Sequence, residues 1–392
     1  MNPFDLPDTS QTHATRQAAK TPAAIIGAEA AKCGVLTFAR FMELALYCPD
    51  CGYYETKKDS PGRRGDFYTS VSVGDLFGQL LAFQFAEWLE ELLMGDCRLA
   101  IAEAGAHDGK LAKDILNWLQ IHRPKLFSEI EYIILEPSSR RQEWQRETLA
   151  EFGDKIRWLA QISELKNRQS PIGNRQFIGL IFSNELLDAF PIHRFGWEAK
   201  NKKWFEWGVA VEGENFVWTK IPDSKFQIPN SELESVLPDN YTVEISPAAE
   251  NWWRTAATVL ERGKLLTIDY GLTDAELFLP ERKNGTLRGF YRHHFADNLL
   301  ANPGEQDLTA HVNFSAIQKA GESAGLTTEL LSTQTRFLTR ILEKTLKEKS
   351  FGELVASKRS EGGWTSAQTR QFQMLTHPEH LGRAFHILIQ NR

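Results

Sequence analysis

Two rhythms of apolar residues run along this chain. Short, mainly apolar runs end in polar or acidic groups: 99–102 before Glu103, 132–135 before Glu136, 177–182 before Asn184 and Glu185, and 264–268, with Lys264 and Thr267 in it, before Asp269. Runs of this length and character read as buried parallel strands. Between them apolar residues recur at helical spacing. Leu80, Leu81, Phe85, Trp88, Leu89 and Leu92 mark one face of a helix from Asp75 to Leu93, and Leu111, Ile115 and Leu116 mark another after Gly109. Strands alternating with helices predict a doubly wound α/β sheet. A further short strand is expected over 156–159 and a last one over 385–389. Aromatic-rich runs over 204–211 and 216–221, joined through Gly213, predict a β-hairpin inserted into that alternation. Ser246 before Pro247 marks a helix start.

Domain boundaries follow from where these rhythms begin and stop. Residues 1–31 read as a mobile N-terminal arm. Residues 32–98 read as a helical segment with a glycine-marked loop at Gly62–Gly65. Residues 99–335 form the core, with insertions near 195–245 and 275–312. The second insertion loses periodicity, and a long irregular stretch in a compact domain usually serves the site, for example as a lid. Residues 336–375 read as an inserted helical cap and 376–392 as the last core strand.

Composition narrows the classes. With 42% hydrophobic and 24% charged residues the chain is of globular type. Its net charge of −6 argues against a nucleic-acid or anionic-membrane binder. No apolar run is long enough to span a bilayer. The early sequence has no basic segment followed by an apolar core, so no secretory signal is read there. Four cysteines do not make a disulfide framework in a chain this long. Cys48 and Cys51 form a lone C-x-x-C, and Cys33 and Cys97 offer no matching spacing for zinc. No metal is expected, and the thiols read as reduced in a cytoplasmic location.

The chemistry is expected where strands end. After the first strand come Glu103, Gly105, His107, Asp108 and Gly109. The G-x-G-x-x-G of a dinucleotide site is incomplete. An acid two residues before the first glycine suits a cationic ligand better than a pyrophosphate. S-adenosylmethionine, with its ammonium and sulfonium, is such a ligand. An ordinary strand–helix turn is the other reading of the same stretch. Glu136, ending the second strand, stands where an acid bonds ribose hydroxyls. Asn184, Glu185 and Asp188 follow the most apolar strand, and polar groups at that end are where open α/β sheets place chemistry. Asp269 ends the next strand and reads as a further lining group of the cleft.

Seven short motifs stand in order: Gly65-Asp66-Phe67, Glu103-x-Gly105, Asn184-Glu185-x-x-Asp188-Ala189-x-Pro191, Asp269-Tyr270-Gly271, Gly285-Thr286-Leu287, Asp307-x-Thr309-Ala310-His311-Val312-x-Phe314, and Thr333-Gln334-x-x-Phe337-Leu338. In series they resemble the MidA family of S-adenosylmethionine-dependent methyltransferases, related to a mitochondrial complex I assembly methyltransferase. The resemblance implies a class I methyltransferase fold of seven strands with an inserted cap. It implies S-adenosyl-L-methionine as cofactor and an arginine of a protein as substrate. A bacterial-type cytoplasmic location is expected over the mitochondrial matrix. On this basis Gly65, Asp66, Phe67, Glu103, Gly105, Gly109 and Glu136 are expected to bind the cofactor, and Glu185, Asp188 and Asn184 to serve catalysis. His107 departs from the family, which has glycine there, and would crowd the cofactor unless it faces out of the turn. A non-enzymatic assembly protein on the same fold is the alternative reading.

Overall fold

The computed structural model describes residues 21–56, 69–93, 99–170, 173–175, 177–221, 224, 237–291, 294–347 and 364–392. Seven strands form the main path of the central sheet: β1 (Ala100–Ala104), β2 (Glu131–Leu135), β3 (Ile156–Leu159), β4 (Phe177–Asn184), β5 (Leu260–Leu272), β6 (Thr327–Thr333) and β7 (Phe385–Asn391), and a short eighth, Val312–Asn313, pairs parallel with the end of β5. The spatial order along the main path is β6-β7-β5-β4-β1-β2-β3. Strands β5, β4, β1, β2 and β3 run parallel, and β7 is antiparallel to both of its neighbours. The order reverses between β1 and β4, which opens a crevice at their carboxyl ends.

Side chains alternate across the sheet, so each apolar strand feeds two cores. Ile101, Ile134, Phe182 and Ile268 face one layer, packed by the Leu76–Leu92 and Lys110–His122 helices. Ala102, Ile133, Ile181 and Leu265 face the other, packed by the Pro247–Val259 and Phe314–Ser323 helices. Ser246 caps its helix as its position before Pro247 predicts, accepting from the Ala249 N–H at 3.2 Å.

Two expectations are corrected. The arm does not extend to residue 31: a helix runs over Pro22–Cys33, with Thr21 accepting from the Ala24 N–H and Pro22 in the first turn. Ile26 and Ala30 bury that helix against the Phe38–Tyr47 helix, which is why it is held. The described helices of the expected cap, Gln334–Lys347 and Ser366–Thr376, are not an insertion apart from the core: they bury Phe337, Leu338, Ile341 and Leu375 in the same core as Phe85 and Leu89 and so help complete one layer of the sheet. The hairpin of Lys203–Glu212 and Asn215–Lys220 forms as expected but is not isolated. It joins Leu36–Thr37, His193–Glu198 and Thr242–Ile245 in a five-stranded antiparallel sheet.

The aperiodic stretch also has structure. Arg288–Tyr291 pairs antiparallel with both His294–Phe295 and Asp307–Thr309. This small sheet stands beside the crevice and supplies part of its wall.

Candidate functional site

A cavity of about 560 Å³ occupies the crevice. That is the size of a site for a nucleoside-sized ligand. Its first half is built on β1. Glu103 lies in β1, 2% exposed, and its Oε2 accepts from the Tyr132 hydroxyl at 2.6 Å. Burial pushes this carboxyl up to about 7 against the opposing pull of Tyr132. The chain then turns at Gly105 with φ +75°, where a Cβ would come within 2.8 Å of Leu186 Cδ1. Only glycine meets both demands. His107 also takes a positive φ, +47°, and is among the residues lining the cavity. Its Nε2 is buried without a hydrogen-bond partner among the described residues, as is the Asn184 Oδ1. Glu103, His107 and Asn184 line the cavity together, and a carboxyl, an imidazole and an amide oxygen can each act as an acceptor for a cationic ligand.

The second half is built on the ends of β4 and β5. Glu185 follows β4 with φ +52°, a left-handed conformation that a side chain rarely adopts. Its N–H donates to the Ile268 carbonyl at 2.9 Å, which keeps the turn pinned to β5. Its Oε1 accepts from the Ser70 N–H at 3.0 Å and the Asn184 amide at 3.1 Å. Desolvation, with Asp188 nearby, pushes the Glu185 carboxyl up to about 8. Asp188 lines the cavity and shares a hydrogen bond with Asp269. Burial, then Asp269 and Asp307, hold the Asp188 carboxyl well above its usual range.

Asp269 does not line the cleft as expected. It sits behind the wall, fully buried, with Oδ2 accepting from the Leu186 and Leu187 N–H groups at 3.1 and 2.8 Å. Its Oδ1 accepts from the Tyr270 N–H at 2.9 Å. Burial pushes it up to about 7 despite these bonds.

Other expected site residues fall in different places. Glu136 is buried but outside the cavity wall, and its carboxylate pairs with Arg141 at 2.9 Å. It also accepts from the Ser138 N–H and the Gln145 amide. Gly109, with φ +86°, starts the Lys110–His122 helix and does not reach the cavity. Gly65, Asp66 and Phe67 lie outside the described residues.

Several wall residues were not singled out from sequence. Asp307 brings a third carboxylate to the second half and accepts from the Tyr54 hydroxyl at 2.6 Å. Tyr47 donates to the Ala189 carbonyl at 2.9 Å. Tyr270 and Arg288 complete the wall. The two tyrosines flank the C-x-x-C-Gly turn, and Asp307 opens one of the quoted motifs, which are the only marks they leave in the sequence. The basic side chains of the wall are turned to other partners: Arg141 to Glu136, Lys110 to the Val71 carbonyl at 2.8 Å, Arg288 to the Leu287 carbonyl at 3.0 Å.

Known proteins sharpen this picture. A family described as "Putative S-adenosyl-L-methionine-dependent methyltransferase" matches residues 80–332. A protein of Burkholderia thailandensis, solved bound to S-adenosyl-homocysteine, is 30% identical with a TM-score of 0.76, over 95% of this chain and 92% of that one. The mouse protein named "Protein arginine methyltransferase NDUFAF7, mitochondrial" is 27% identical over 90% of this chain and 80% of its own length. The Drosophila melanogaster homologue is 27% identical over 74% of this chain and 68% of its own. The expected cytoplasmic location is corrected by these relatives, since the names of the mouse, rat and fly proteins all place them in mitochondria.

Proposed function

Because the chain belongs to this family of S-adenosyl-L-methionine-dependent methyltransferases, we propose that it methylates an arginine side chain of a protein. The observation that supports this is the convergence of Glu185, Asp188 and Asp307 on one wall whose cations are turned elsewhere. The names of the curated relatives support the same substrate class. By the resemblance, the target protein belongs to a respiratory complex.

The cofactor supplies a methyl group already activated on a sulfonium. Glu103, Gly105 and the Asn184 Oδ1 are the groups that would hold its methionine end. Glu136 keeps a ribose role by resemblance alone, because it stands outside the cavity wall with its carboxylate paired to Arg141. Gly109 acts one step back by starting the helix behind the loop. Gly65, Asp66 and Phe67 keep a cofactor role by resemblance alone.

The remaining chemistry belongs to the acids. A guanidinium arrives protonated, since its pKa exceeds about 12. Glu185 and Asp188 accept its N–H groups, which orients one nitrogen toward the methyl and excludes water from it. Its positive charge favours the ionised acids, so its entry drives off protons that desolvation otherwise keeps on them. Methyl transfer leaves one proton to be removed from the substrate nitrogen. Asp188, backed by Asp269, is the acceptor within reach.

The test is isotopic. Extracts lacking the protein are supplied with methyl-labelled S-adenosylmethionine, with and without the purified chain. The reading expects label in methylarginine after acid hydrolysis of the proteins. Label confined to lysine, histidine or a carboxyl ester would overturn it.

A further inference from the structure

The C-x-x-C motif has no part in the methyl-transfer reading, yet it stands between two residues of the cavity wall, Tyr47 and Tyr54. Cys48 ends the Phe38–Tyr47 helix, and Cys51 lies one residue before Gly52 and the Tyr53–Thr56 helix. Between them Pro49 and Asp50 make a tight turn. The Cys51 N–H donates to the Cys48 carbonyl at 3.2 Å, and Asp50 takes φ +67°. Proline in the second place and a positive φ in the third are what such a turn requires. Gly52 closes it, because a Cβ there would meet the Leu46 carbonyl oxygen at 2.6 Å. The turn points both thiols the same way: the Cys51 thiol donates to Cys48 Sγ at 3.1 Å. Two sulfurs held this close need little backbone movement to bond.

We propose that Cys48 and Cys51 form a thiol–disulfide exchange site that closes reversibly to an intramolecular disulfide at the expense of a small-molecule disulfide. This goes beyond the methyl-transfer reading and does not rest on it. Cys51 is part-exposed and Cys48 is buried. The first step is therefore at Cys51. Its thiolate attacks one sulfur of glutathione disulfide, forming a mixed disulfide and releasing one glutathione thiolate. Cys48 then gives up its proton and attacks the Cys51 sulfur, forming the internal bond and releasing the second glutathione. Two protein thiols are oxidised, one disulfide is reduced to two thiols, and the balance is complete. Burial and the Cys48 sulfur push the Cys51 thiol up to about 12, which makes the first step slow near neutrality.

The turn joins two residues of the cavity wall. Tyr47 precedes it and holds the Ala189 carbonyl, while Tyr54 follows it and holds Asp307. The modification site is thus tied on one side to Asp307, through Tyr54, and on the other to the backbone at Ala189, next to Asp188, through Tyr47.

The intact protein is equilibrated to plateau in buffers of reduced and oxidised glutathione, quenched with iodoacetamide and digested with trypsin. The tryptic peptide 41–57 holds both cysteines and no other. It is expected to become resistant to alkylation and lighter by two hydrogens as the buffer turns oxidising, and to revert when reduced glutathione is restored. Exposed Cys33, in peptide 33–40, shows in the same sample that exchange has reached the protein. In C48S the peptide is expected to retain one glutathione on Cys51. In C51S it is expected to stay unmodified, because the buried thiol is not attacked. Wild-type protein in which both thiols of peptide 41–57 remain alkylatable while Cys33 exchanges would overturn the proposal. So would a stable glutathione adduct on that peptide, or a disulfide from it to Cys33 or Cys97.

Discussion

Glu185 carries two unusual features at one residue: a left-handed backbone and a carboxyl held near 8. A strained residue persists only where its surroundings fix it, and here the fixing groups are identifiable. Asp269 accepts the N–H groups of the next two residues, and the Glu185 N–H is held by Ile268. Glu185→Gln keeps the shape and removes the charge. It is expected to leave affinity for S-adenosylhomocysteine unchanged by titration, while single-turnover methylation falls about ten- to a hundredfold for each charge-assisted bond lost, worth roughly 1.5–3 kcal/mol. Asp269→Asn should act through Glu185 rather than on substrate. With one oxygen left for three N–H donors, kcat should drop about tenfold or more with little change in cofactor affinity, and KM should move less than kcat. Equal losses in cofactor affinity would make Asp269 a general stability residue instead. The acids were legible in the sequence because each closes an apolar run. The strain at Glu185, the Glu136–Arg141 pair and the Tyr54–Asp307 bond were not, because each depends on a partner brought by the fold; Tyr54 and Asp307 are 253 residues apart. His107 was legible as a departure, but its orientation was not, since φ +47° and the ring's position are set by the turn as a whole.

Among the elements, the parallel strands could be read directly because burial on both faces leaves an unmistakable apolar run. The antiparallel sheet could be read only as a hairpin. Its other strands are short and mixed, and they find partners through the fold rather than through neighbouring sequence. The Pro22–Cys33 helix was hidden by small residues, which give little periodic signal although Ile26 and Ala30 are buried. Gly27 lies within it with open space where a Cβ would stand. Gly27→Ala is therefore expected to raise stability by about 0.5–1 kcal/mol, measured by urea denaturation. A mobile arm would show no such gain. Gly179 in β4 gives the opposite case. Its φ is +138°, and a Cβ would sit 2.0 Å from the Ala100 carbonyl oxygen in β1. The two strands that bound the crevice approach each other at this point, so Gly179→Ala should cost at least ~3 kcal/mol and give poorly soluble protein. Soluble protein with a wild-type unfolding midpoint would show that β1 and β4 can part without loss.

The whole molecule feels the site through its protons. Glu103, Asp269 and Glu185 are raised to about 7, 7 and 8, and Asp188 is raised well above its usual range, each chiefly by burial. An acid raised on folding holds its proton more tightly in the folded chain than in the unfolded one. The stability it contributes is full below the ordinary carboxylate range, about pH 4, and is lost as pH climbs through the raised value. Buried histidines work in the other direction. His122 and His311 are lowered to about 4 by burial, so their contribution grows from there up to about pH 6.5 and is flat beyond it. The two effects oppose each other up to about pH 6.5; above it the raised acids act alone. Stability of the ligand-free protein is therefore expected to fall between about pH 6.5 and 8, by up to ~1.4 kcal/mol per pH unit for each acid that ionises there. Glu185→Gln removes one of these acids and should flatten the decline. An arginine-containing peptide that occupies the wall should stabilise the protein more at pH 8 than at pH 6.5, because its charge favours the ionised acids. Urea midpoints across that range, for wild type and variant with and without peptide, measure all three effects. A stability that rises from pH 6.5 to 8, or a slope that Glu185→Gln leaves untouched, would mean that the acids of the wall are already ionised and that the cavity is wetter than its lining implies.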